Sequence, residues 1–282
     1  MNKAQAWINL LRLSNTPTLI SNVMVGLGLG MVAHQEQWSD SSFSPNFTPL
    51  VTLVLITIAL LSAYFGGLVL NDVVDVEHDK KHRPLRPIPM GIIPKKQATL
   101  IGSALLVLPV LIAMCTQVRA AYFMIALSSC ILIYTFLHRY LLPSLIFMGV
   151  CRGLVYVVAF SAFDVAFQAE PLLIFAVGIT WYTAVLTLIA KNEHMHNKTK
   201  RWFVLLLLPA AFIPAMIYYT QFQLIFILLA LVIFTTWIAI TFVIFQLTSK
   251  SVHGIHAMLA GFCLLDFVYL SKIGRASCRE RV

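Results

Sequence analysis

At 282 residues, 60% of them hydrophobic and only 11% charged, the chain carries too much apolar surface for an ordinary soluble domain. Its formal net charge of +9 is not the footprint of a nucleic-acid binder in such a composition; it reads as basic loops gathered on one side of a membrane. Five cysteines (Cys115, Cys130, Cys151, Cys263, Cys278) show no C-x-x-C spacing, which argues against a zinc site or a disulfide framework.

The first residues, Met1 to Ser14, set Trp7 between Lys3 and Arg12 in a weakly amphipathic pattern that predicts a short interfacial helix. Apolar runs then predict nine transmembrane helices, at about 17–33, 50–70, 98–116, 121–137, 143–162, 171–190, 202–219, 224–247 and 255–270. Backbone groups in lipid must be satisfied within the span, so the expected fold is an all-α polytopic membrane bundle forming one domain over residues 1–272. Gly26, Gly28 and Gly30 imitate a nucleotide loop, but no strand precedes them, and close helix packing is the expected role. The last ten residues, IGRASCRERV, turn abruptly basic and resemble a translated sequencing adapter, so 273–282 is expected to be a non-native tail.

On an alternating topology, the N-terminus and the loops after spans two, four, six and eight hold fourteen Lys and Arg, and the other inter-span loops hold only Arg119. This predicts a cytoplasmic N-terminus and cytoplasmic loops after spans two and six.

The second span ends in Asn71 to Gly91, NDVVDVEHDKKHRPLRPIPMG. Continued as a helix, Asn71, Asp72, Asp75 and Asp79 fall within an arc of about 100°, and Glu77 points elsewhere. Three carboxylates at a helix C-terminus oppose the helix dipole and need cations nearby. Two sources are at hand: Mg²⁺, which takes carboxylates together with substrate phosphates, and the basic run Lys80, Lys81, Arg83, Arg86.

Arg152 stands alone in the fifth span, where an ionisable group is expensive and marks a cavity or an anion ligand, with Tyr156 one turn further on the same face. The segment after span six, KNEHMHNKTKR, offers Glu193 and Asn197 at a spacing of four with Lys191 and Lys198 beside them. His194, His196, His253 and His256 lie in loops too far apart in sequence to argue for a transition-metal site.

NDxxDxxxD followed by RPxRPIPxG after the second of nine spans resembles the first signature of the UbiA superfamily of intramembrane prenyltransferases, and CRGLVY resembles that family's fifth-span Arg and Tyr region. YTAVLTLIAKNE looks more like a divergent subgroup of the kind called EboC. The resemblance implies a helical bundle around a central cavity open to lipid, with Mg²⁺ bridging Asp72, Asp75 and Asp79 to the diphosphate of a polyprenyl donor. It also implies Asn71, Arg83, Arg86, Arg152, Tyr156, Lys191, Asn197 and Lys198 as substrate-binding residues. The family's second DxxxD is reduced here to Glu193 and Asn197, leaving Glu193 as the one carboxylate for a second metal and catalytic position. Two functions follow: transfer of the prenyl group to a small aromatic acceptor, or a non-catalytic protein that binds or moves an amphiphile. A CDP-alcohol phosphotransferase is set aside because no DGxxAR run occurs.

Overall fold

The computed structural model describes residues 2–38, 49–163, 169–191, 198–217, 224–247 and 252–273. These form α1 (Lys3–Leu11), α2 (Thr16–Trp38), α3 (Pro49–Val74), α4 (Val76–His82), α5 (Lys95–Thr116), α6 (Val118–Leu137), α7 (Leu141–Phe160), α8 (Ala169–Lys191), α9 (Pro209–Ile217), α10 (Leu224–Leu247) and α11 (Val252–Ile273). No strand occurs among the described residues.

Among the described residues, eight helices are long and apolar enough to cross a bilayer, and the ninth apolar segment, Trp202–Ile217, is shorter. It corrects the expected seventh span: Lys198–Leu207 winds as a 3-10 helix before α9 begins at Pro209. A 3-10 helix rises about 2.0 Å per residue against 1.5 Å, so this segment still reaches nearly as far as a bilayer core is thick, roughly 30 Å.

Each spanning helix is apolar around most of its circumference because one side meets protein and the other meets lipid. Leu100 and Val107 on α5, Tyr122 on α6 and Ile225 on α10 are exposed on the outer surface. Helices α2 and α7 pack against each other and divide the bundle. Helices α3, α5 and α6 complete one half, while α8, α9, α10 and α11 complete the other. Small residues permit the central contact, as expected for the first span: a Cβ at Gly26 would sit 2.6 Å from the Tyr156 carbonyl oxygen, and one at Gly30 would sit 2.9 Å from that of Phe160.

Two prolines interrupt spanning helices, and hydroxyls from neighbouring helices satisfy the carbonyls they release. Pro109 in α5 cannot bond the Leu105 carbonyl, which instead accepts from Ser62 Oγ at 3.1 Å. Pro214 in α9 frees the Ala210 carbonyl, which accepts from the Tyr269 hydroxyl at 2.7 Å. Outside the main core, Ala6, Leu10, Val69, Val73, Val76, Ile88, Ile93 and Ala98 form a second apolar cluster. It ties α1 and the loop after α4 to the ends of α3 and α5, and so places the polar residues described below.

Tyr269→Phe keeps the ring but leaves the Ala210 carbonyl without a donor, so it is expected to cost about 1–2 kcal/mol. The check is a lowered thermal unfolding midpoint in detergent; an unchanged midpoint would show that the carbonyl finds another partner.

Candidate active site

The acidic segment is not one continuous helix. Helix α3 ends at Val74, Asp75 adopts φ −83°, ψ 0°, and α4 starts at Val76. Helical hydrogen bonding survives the break, since Asp75 N donates to the Asn71 carbonyl at 3.0 Å and Asp79 N to the Asp75 carbonyl at 2.8 Å. The break also changes the electrostatics. Asp79 now lies in the first turn of a short helix that ends in Lys80, Lys81 and His82, rather than further along the C-terminal end of a long one.

Asp72 and Asp79, two turns apart, meet at Arg86. Arg86 Nη1 lies 3.1 Å from Asp72 Oδ1 and 2.7 Å from Asp79 Oδ2. Arg12 Nη2 reaches the same Asp72 oxygen at 3.1 Å. Both carboxylates are buried, with Asp72 5% and Asp79 2% exposed. Unpaired, either would carry a large desolvation penalty.

The proline-rich turn presents Arg86. Arg86 N donates to the Arg83 carbonyl at 3.1 Å, the Pro87 carbonyl accepts from Ile92 and Ile93, and Gly91 takes φ +74°, a conformation glycine adopts without strain. Ile88 and Ile93 anchor this turn in the second apolar cluster.

Asp75 has partners of its own: its oxygens lie 3.0 Å from His138 Nε2 and 3.1 Å from Arg139 Nη2, both in the turn between α6 and α7. The Arg83 side chain is exposed and makes no hydrogen bond or ion pair with the described residues, while its backbone carbonyl accepts from Arg86 N. Glu77 stands apart as expected, exposed, with its carboxyl held below the usual range by a 2.9 Å hydrogen bond from Lys80.

Lys191 ends α8 beside the turn between α6 and α7. Its ammonium donates to the carbonyls of His138 and Tyr140, so it braces the α6–α7 turn. Glu193 and Asn197 lie outside the described residues, and so does the side chain of Lys198.

Arg152 and Tyr156 lie deeper in the bundle and do not meet directly. Arg152 donates to Asn22 Oδ1 at 2.5 Å and to Thr18 Oγ1 at 3.1 Å, while the Tyr156 hydroxyl donates to Asp266. Sequence reading passed over Arg12, His138, Arg139 and Asp266. Asp266 alone carried a usable signal, a lone carboxylate inside an apolar span. Arg12, by contrast, sits in a left-handed conformation (φ 46°, ψ 52°) at the end of α1, and only that bend turns it toward Asp72.

No three His, Cys, Asp or Glu side chains are gathered to hold a metal ion among the described residues. The donor set nonetheless suits a hard cation. Asp72 and Asp79 offer carboxylate oxygens, and the neighbouring Asn71 Oδ1 is a buried acceptor without a partner.

The UbiA prenyltransferase family matches residues 23–254. The chain is 27% identical over 138 residues to digeranylgeranylglyceryl phosphate synthase of Methanococcus aeolicus, covering 49% of this chain and 44% of that protein. It is 26% identical over 149 residues to 4-hydroxybenzoate octaprenyltransferase of Klebsiella pneumoniae, covering 52% of each. The aligned stretches thus reach only about half the length of these curated relatives. Among solved structures, the fold is similar to an apo UbiA homologue from Aeropyrum pernix, with TM-score 0.66, 13% identity and 88% and 94% of the two chains covered. A UbiA homologue from Archaeoglobus fulgidus bound to DMAPP and Mg²⁺ gives TM-score 0.61 at 15% identity, with 94% and 99% covered. A protein of many spanning-length apolar helices that matches this family is an integral multi-pass membrane protein. The chain belongs to the UbiA prenyltransferase family.

Arg86→Ala removes the shared partner of two buried carboxylates and is expected to cost about 3–5 kcal/mol, whereas exposed Arg83→Ala should stay within about 0.5 kcal/mol of wild type. Thermal unfolding of the two variants side by side is the check; equal losses would contradict the assignment of Arg86 alone to the carboxylates.

Proposed function

We propose that the chain catalyses Mg²⁺-dependent transfer of a polyprenyl group from an isoprenoid diphosphate to a small aromatic acceptor within the membrane, with its N-terminus and both polar loops cytoplasmic. The observation that carries this reading is the buried Asp72 and Asp79 pair, facing Arg12 and Arg86 beside the orphaned oxygen of Asn71. Names of relatives in the same family, and the DMAPP and Mg²⁺ held by the Archaeoglobus protein, support the donor class.

Asp72, Asp79 and Asn71 would hold Mg²⁺, with Asp75 and Glu193 as further carboxylates. Bound there, the ion would supply positive charge to the leaving diphosphate. Arg12 and Arg86 already stand in place to share that charge, an electrostatic contribution that grows as the carbon–oxygen bond ionises. His138 and Arg139 extend the basic rim on the Asp75 side, and Lys191 holds their turn in position. Asn197 and Lys198 are proposed as further substrate-binding residues. Apolar helix walls would exclude water from the allylic cation until the acceptor captures it. Arg152, deeper than the acidic motif, is proposed to face the reacting end of the substrates.

A second reading, a non-catalytic protein that binds or carries an isoprenoid, is favoured by one observation: Asp72, Asp75 and Asp79 are already paired with cationic side chains. Purified protein in nanodiscs, given a panel of allylic diphosphates and pooled acceptors, separates the two. Mg²⁺- and acceptor-dependent pyrophosphate release, abolished in Asp72→Asn and strongly reduced in Glu193→Gln, is the expected result. Donor binding without release from any pool would favour the carrier.

A further inference from the structure

The polar groups inside the bundle form one chain of hydrogen bonds that joins three helices. Arg152 of α7 donates through Nη1 to Asn22 Oδ1 of α2 at 2.5 Å. Asn22 Nδ2 donates to Asp266 Oδ2 of α11 at 2.7 Å, and the Tyr156 hydroxyl donates to Asp266 Oδ1. Asn22, Tyr156 and Asp266 are buried, with Asp266 1% exposed. The guanidinium of Arg152 also lies 4.6 Å from the centre of the Phe262 ring. The amide orientation at Asn22 is dictated by its neighbours, because a guanidinium only donates and a carboxylate only accepts.

The direct hydrogen-bond partners of Arg152 among the described residues are neutral: Asn22 Oδ1, Thr18 Oγ1 and the Thr18 carbonyl. The carboxylate that balances its charge is one residue away, and Arg152 does not touch it. We infer that Asp266 is a positioning residue, which sets the Asn22 amide and through it the place of the Arg152 guanidinium. Asp266 forces the Asn22 NH₂ toward itself, which turns the amide oxygen to Arg152. What the relay needs is the order of donors and acceptors along it, an acceptor facing Arg152 and a donor facing the group on α11.

The inference rests on the prenyl-transfer reading for its kinetic test and on the hydrogen-bond geometry for the rest. In Asp266→Asn, Tyr156 retains an acceptor, but the new NH₂ faces that of Asn22; if Asn22 rotates to relieve this, it turns a donor toward Arg152. In Asn22→Asp, two carboxylates face each other. The exchange Asn22→Asp with Asp266→Asn restores every donor–acceptor pair with the charge moved from α11 to α2.

The experiment compares both single variants and the exchange for binding of a labelled allylic diphosphate, for acceptor-dependent pyrophosphate release well below the unfolding temperature, and for thermal midpoint. Each single change is expected to lower turnover about ten-fold or more while donor binding stays within about two-fold, and the exchange to return turnover to within about three-fold of wild type. Single variants that unfold earlier yet turn over like wild type would make the network purely structural and overturn the inference. So would an exchange variant no better than the single ones. If wild-type protein releases no pyrophosphate with any acceptor, the proposed function fails by itself and the midpoints judge the relay: restoration in the exchange variant supports it, and continued loss refutes it.

Discussion

Asp72, at the end of a spanning helix, opposes that helix's dipole, and it and Asp79 repel each other where burial removes the water that would screen them. The bundle answers that repulsion with a shared guanidinium, Arg86, between Asp72 and Asp79, and a second one, Arg12, on Asp72. Much of the surrounding architecture serves to bring those two cations in. Arg86 lies fourteen residues beyond Asp72 and is returned by a turn stiffened by Pro84, Pro87 and Pro89. Arg12 comes from before the first span, on a helix held by Ala6 and Leu10 in the same apolar cluster that seats Ile88 and Ile93. The apolar cluster therefore fixes the electrostatics: loosening it would leave buried charge without a partner.

The same logic operates inside the membrane with different parts. Asp266 and Arg152 lie in a low-dielectric interior where either charge alone would be costly, and Asn22 joins them with one acceptor and one donor. Helices α2 and α7, which carry Asn22 and Arg152, are those whose close approach depends on Gly26 and Gly30. Hydroxyls play the corresponding part for the backbone, where Ser62 and Tyr269 satisfy carbonyls released by Pro109 and Pro214. Polar groups in this bundle cross-link helices rather than decorating them.

The turn between α6 and α7 links the two motif regions. His138 and Arg139 face Asp75, and the backbone carbonyls of His138 and Tyr140 accept from Lys191, the last residue of α8. The turn gives Asp75 partners of its own, so the three aspartates serve two cation groups.

The sequence by itself determined the all-helical membrane fold, because only helices with long apolar runs satisfy their backbone in lipid, and span boundaries agree with the structure to within a few residues at most ends. It also determined the family, through the spacing of Asn71, Asp72, Asp75, Asp79 and the RPLRPIP turn. The 3-10 winding before α9 was not legible, because the run from Trp202 to Leu207 is as apolar as an ordinary span and periodicity does not report the winding. Nor were the partners legible. Which donor meets which carboxylate depends on residues 60 apart for Arg12 and Asp72, 64 apart for Arg139 and Asp75, and 244 apart for Asn22 and Asp266. Local periodicity carries no information over such separations. The tertiary structure alone decided that Arg86 and Arg12, and not Arg83 or Lys191, meet the acidic pair, because only packing of the helices brings their charges within bonding distance.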